Sequence, residues 1–216
     1  MRAYAISFLA IGLCHSAGCS DPTGKESGIS NSAVAEIQPR IDPAEDSAVA
    51  VPHPEYTNWS QFPEGTRLIR QKVVENPNGA ITETTTLKLV EKREAAVVIE
   101  TQVTVVRDSV ELKNEPNQVS FPSTFRLPSG FTREQFEIPS QKAKFQEEVS
   151  VTIGDRSYPC KLYSWTESNE AGPMPVKVWF SDRVPGRLVK QESFIESSKT
   201  RSVEEVQSIE IPKPTQ

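Results

Sequence analysis

The chain has 216 residues, with 24 Lys and Arg against 29 Asp and Glu, a formal net charge of −5. A mildly acidic chain without a basic patch is a poor nucleic-acid binder, because phosphate neutralisation supplies most of that affinity. Only two histidines and three cysteines are present, which narrows the metal and nucleophile chemistries open to it. Val, Thr, Ile and Ser outnumber Ala and Leu, a bias towards strands.

Met1-Arg2 opens the chain with a positive charge, and Ala3 to Leu13 is an apolar run too short to span a bilayer. Small residues then lead to Cys19. This is the anatomy of an export signal, so residues 1–18 are expected to be removed. Ala17-Gly18-Cys19 resembles the lipobox of bacterial lipoproteins, with Ser16 where that family carries an aliphatic residue. The resemblance implies acylation of Cys19 and an exported chain anchored on the periplasmic side. Ser20 resembles an outer-membrane default. Cleavage by an ordinary signal peptidase, giving a simply secreted chain, is the alternative. Each buried methylene contributes about 0.8 kcal/mol, so two or three acyl chains would hold the protein firmly.

Residues 19–57 read as a lipid-anchored tether, rich in Ser, Ala, Glu, Pro and Gly and without an apolar period. A coil of that kind reaches roughly 30 Å. His53 falls in this tether, between Pro52 and Pro54.

From Asn58 to Pro212 the pattern becomes a period of two, the mark of half-buried antiparallel strands. Val97, Ile99, Thr101, Val103 and Val105 share one face. Phe145, Val149, Val151 and Ile153 form one side of a later strand, and Val176, Val178 and Phe180 repeat the scheme. Val203, Ile209 and Ile211 do so near the end. Asn76-Pro77-Asn78-Gly79, Gly154-Asp155, the stretch Ser168 to Pro173 and Val184-Pro185-Gly186-Arg187 supply the turns, with Asn-Gly providing positive φ in the first. Phe131 to Phe136 predicts one short helix, with a Thr132–Gln135 capping box and a Phe131–Phe136 staple. The expected fold is all-β with a minor α part. It is an antiparallel meander of about eight or nine strands, a curved sheet or half-barrel with one short helix, followed by a flexible tail over residues 213–216.

No catalytic constellation is legible. His15 leaves with the signal and His53 lies in the tether, so a Ser-His-Asp or Cys-His site lacks its base. No metal site and no cofactor loop is expected. Glu147-Glu148 and Glu204-Glu205 are adjacent pairs that point to opposite faces, and they read as solvated positions rather than an acid–base pair. A carboxylate-only hydrolase is the enzymatic alternative. With Cys19 acylated, Cys160 is left as a buried thiol without a partner.

The aromatic residues Tyr163, Trp165 and Trp179 lie on two consecutive strands and give both sheet faces apolar bulk. One reading is a sheet covered by the short helix and by Trp59 and Phe62; the other is an apolar ligand face on a concave sheet. Lipobox, tether and sheet together resemble periplasmic lipoprotein domains of the LolA/LolB half-barrel kind. Trp179-Phe180-Ser181 through Pro185-Gly186-Arg187-Leu188-Val189-Lys190 is similar to that group's late hairpin. The resemblance implies binding of an acyl chain or other apolar ligand. A structural lipoprotein that docks an envelope protein is the alternative.

Overall fold

The computed structural model describes residues 50–128 and 130–213. The expected signal, Cys19 and most of the expected tether lie outside these residues. Twelve strands run in the order β1 (Ala50–Pro52), β2 (Arg67–Asn76), β3 (Gly79–Lys92), β4 (Ala96–Arg107), β5 (Val110–Lys113), β6 (Asn117–Pro122), β7 (Thr124–Arg126), β8 (Lys144–Ile153), β9 (Arg156–Asn169), β10 (Gly172–Phe180), β11 (Leu188–Ile195) and β12 (Thr200–Glu210). Two short helices, α1 (Pro54–Trp59) and α2 (Glu134–Glu137), interrupt them.

Ten strands form one open antiparallel sheet, ordered β5-β4-β3-β2-β12-β11-β10-β9-β8, with β6 sharing the β4 edge beside β5. β1 and β7 pair separately. This is the all-β, curved-sheet class expected from the alternation. Residues of β12 meet the β8–β9 hairpin around one cleft, although three strands separate β12 from β8 in the sheet. That half of the sheet is therefore curled. β9 loses its β10 partner beyond Lys161, where Phe180 ends the pairing. Its free end carries Cys160 into a cluster with Leu68, Ile153, Val184, Val189 and Val206.

Four register shifts interrupt the sheet among the described residues, one of them between Leu89 and Glu91 of β3, and the other three redirect side chains that strict alternation would place otherwise. A shift between Phe145 and Glu147 pairs Phe145 with Tyr163 but Val149 with Cys160. Phe145 thus lies on the opposite face from Val149, Val151 and Ile153, where simple alternation grouped all four. A second shift, between Val206 and Ser208, sets Val206 and Ile209 on one face and Val203 on the other. A third lies where Trp179 and Phe180 face Lys190 and Leu188, with Val189 as the extra residue. One inserted residue flips every later side chain.

The turns form where the sequence placed them, with one change of detail. Asn76 pairs with Gly79, so Pro77-Asn78 is the two-residue loop and Gly79 (φ 134°) opens β3. Asn76 caps this loop by accepting from the Asn78 N–H at 2.8 Å. At Val184–Arg187, Gly186 takes φ 70° and the Arg187 N–H donates to the Val184 carbonyl at 2.9 Å, as a type II turn requires. Phe131 and Phe136 meet at 5.6 Å, and the Gln135 side chain accepts from the Thr132 N–H at 2.9 Å. The expected helix shrinks to the four residues of α2 before Pro139.

The larger correction is α1. His53 is not part of a tether: regular structure has begun by Ala50, and His53 is the N-cap of a helix. Pro54 fills the first helical position, where its missing N–H costs nothing, and Glu55 places an acid in the first turn. The prolines that read as linker composition are a helix-start signal here.

Candidate functional site

α1 lies on the sheet face, here the inner face, that carries Leu89 of β3, Val97 and Ile99 of β4 and Phe121 of β6. Trp59 and Phe62 fill the space against them, with Trp59 only 1% exposed. This part of the inner face is a packed core, as the covered-sheet reading expected.

The polar side of α1 is fastened to the loop between β10 and β11. Asn58 is buried and donates from Nδ2 to the carbonyls of Asp182 and Val184, both at 3.1 Å. Its Oδ1 accepts from the Gly186 N–H at 2.7 Å. One amide therefore satisfies three backbone groups of a buried turn. The turn cannot easily gain a side chain, because a Cβ on Gly186 would stand 3.1 Å from an Arg70 nitrogen.

Beneath α1 sits a charge cluster. Arg70 of β2 pairs with Glu204 of β12 at 3.5 Å, with side chains 14% and 18% exposed. Glu204 is therefore not a solvated position, contrary to expectation; it shares the inner face with Val206, and Arg70 draws it inward. Arg187 donates to Asp182 at 3.0 Å and to the Glu137 carbonyl at 3.0 Å, and its guanidinium lies 5.3 Å from the Phe180 ring. Glu55 reaches into this cluster from α1. Burial raises its carboxyl above the ordinary value, while Arg187, Arg70 and the Trp59 indole N–H oppose the rise. Burial likewise lowers the Arg70 guanidinium, against the pull of Glu204 and Glu55. Sequence reading missed Glu55, Asn58, Arg70 and Arg187. The available signal was a charged residue on an otherwise apolar face, as in Leu68-x-Arg70 and Glu204-x-Val206.

Among the described residues, the inner face continues past α1 without a cover. Val119 of β6 pairs with Ile99, so the surface joins the seat of α1. Along β4, Thr101, Val103 and Val105 follow on the same face; Leu112 pairs with Val105 and Val110 with Arg107. Val110, Leu112 and Val119 are 59%, 64% and 40% exposed. The two clefts best defined among the described residues, about 190 and 250 Å³, lie elsewhere, and the larger is polar. Both fall below the roughly 300 Å³ at which small-molecule pockets usually begin.

The three aromatic residues of the expected ligand face divide between two faces. Tyr163 pairs with Val178 and Trp165 with Val176, whereas Trp179 pairs with Leu162 on the opposite side. Tyr163 stacks edge-on with Phe145 and Phe180, and the Trp165 indole donates to Glu167 at 2.8 Å. Lys190 Nζ lies over Trp179, 5.3 Å from the centre of the indole ring. Cys160 is a free, buried thiol, and burial pushes its pKa up. His53 and Cys160 belong to separate clusters. His53 packs on Phe121 and Phe125, while Cys160 packs with Leu68 and Val184.

No protein-family model and no curated protein matches the chain. Among solved structures it is similar to a protein from Bacteroides fragilis described as exported and of YmcC-like fold. Identity is 9%, coverage is 69% of this chain and 97% of that one, and the TM-score is 0.43. It is also similar to a protein from Parabacteroides distasonis described as a lipoprotein (11% identity, 69% and 97% coverage, TM-score 0.42). A third is a domain from Vibrio parahaemolyticus described as an outer membrane lipoprotein-sorting protein (9% identity, 76% and 94% coverage, TM-score 0.24). Identities this low carry no residue from them to this chain.

Proposed function

We propose that the chain is an exported, membrane-tethered envelope lipoprotein, anchored through acylated Cys19, whose sheet binds an apolar ligand or acyl chain on the uncovered part of its inner face. The observation that supports the reading is the strip of Val103, Val105, Val110, Leu112 and Val119, which runs on from the seat of α1 with its outer members exposed. Contiguous exposed apolar surface is uncommon on soluble domains and marks interaction sites. The strip is open rather than enclosed, so the bound molecule lies along the sheet. The body acts by binding and not by catalysis.

That shallowness also suits the second reading, an envelope protein laid on the same strip. Native mass spectrometry of the full chain purified from cells separates the two. Co-purifying lipid that solvent extraction removes supports the first reading. A protein crosslinked at Leu112, with no lipid recovered, replaces it with the second.

A further inference from the structure

We propose that His53 is a proton-sensitive latch, holding α1 on the inner face while its imidazole is neutral and releasing it when the ring is charged. The latch is built from one residue that joins four elements. Its Nδ1 accepts the Glu55 N–H at 3.1 Å, which closes the first turn of α1. Its own backbone N–H donates to the Ser123 carbonyl at 3.0 Å, between β6 and β7. Its ring stands 5.3 Å from both Phe121 of β6 and Phe125 of β7. It directly follows Pro52, the last residue of β1.

Protonation attacks each support. An imidazolium has no lone pair on Nδ1, so the cap to Glu55 is lost and the Glu55 N–H is left unpaired. A positive charge at a helix start opposes the peptide dipoles. The side chains against the ring are two phenylalanines, which do not replace the hydration of a cation. Among the described residues, no ion pair or hydrogen bond joins the ring to a carboxylate. The other charged groups around α1 face elsewhere. Glu55 turns towards Arg70 and Arg187, with Glu204 and Asp182 behind them. Lys92 Nζ donates to the Ser60 and Phe62 carbonyls, and Tyr56 Oη to the Glu94 carbonyl. Arg126 lies opposite Ala50.

The sign follows from the shift. Burial lowers His53 from its ordinary value of 6.5, so docking favours the neutral ring. Its stabilisation is complete above 6.5 and is lost as pH falls through the lowered value. Glu55 acts in the opposite sense: its raised carboxyl gains a proton as pH falls, which eases its burial. Release would lift Trp59 and Phe62 from Leu89, Val97 and Ile99 and lengthen the apolar strip. That consequence rests on the ligand reading; the latch itself is read without ligand, so either can fail alone.

Hydrogen exchange of the full chain tests it, following the Tyr56–Phe62 amides against those of β2 between about pH 7.5 and about pH 5.5, with intrinsic rates divided out. Glu55→Gln removes the opposing group. In that background, opening of α1 should increase several-fold on acidification with His53 present. It should be flat in His53→Asn, since Asn caps helices without titrating. Equal pH dependence in the two chains, or none in either, overturns the latch. An NMR titration placing His53 at or above 6.5 does the same.

Discussion

Asn58 shows how much one polar side chain can organise. Asn58-Trp59-Ser60 matches the glycosylation sequon, a match that reads as chance; the residue is 2% exposed, and its amide oxygen and nitrogen are engaged with the β10–β11 loop. Asn58→Ala would strand the Gly186 N–H and two carbonyls in a buried turn. It should cost about 2–4 kcal/mol in urea unfolding, with an unchanged m-value. A loss below about 0.5 kcal/mol, the level of an indifferent surface change, would remove the amide from this role. Such residues are hard to see in a sequence, because their partners are backbone groups more than 120 positions away. Tyr163, Trp165 and Trp179 were visible as bulk, but register alone decides which share a face.

At the scale of elements, the strands were legible because a period of two is a strong local signal. The long alternation from Val97 to Val105 is one face of β4, as read. The bulges at Gln146 and Gln207 were not legible, since an inserted residue leaves no mark in composition and shows only when the partner strand is known. α1 was missed for a different reason. Six residues carry too little periodicity, and Pro52 and Pro54 suggested a linker. Yet α1 contributes the most buried aromatic residue of the inner face. Trp59→Ala should destabilise the domain by about 3–5 kcal/mol, through lost burial and the cavity left against Leu89 and Ile99. Thermal unfolding at matched pH checks this. A shift no larger than that of an exposed variant such as Phe194→Ala would mean that α1 is not part of the cooperative unit.

At the scale of the whole molecule, the sheet offers two kinds of inner surface in series among the described residues, one sealed by α1 and one open along β4, β5 and β6. The anchor expected at Cys19 would present that surface to the envelope. Cys19→Ser should move the protein from the membrane fraction to the soluble periplasmic fraction and abolish labelling by radioactive palmitate. Unchanged membrane association would place the anchor elsewhere. The most direct test of the binding reading is titration of the full chain with a fluorescent fatty acid, comparing wild type with Val110→Glu and Leu112→Glu. Both positions are more than half exposed, so neither change should disturb folding beyond about 0.5 kcal/mol. The account predicts saturable binding by wild type and at least about a tenfold loss in each variant, the equivalent of about 1.4 kcal/mol. Binding that the variants leave unaltered, or none by wild type, would contradict it.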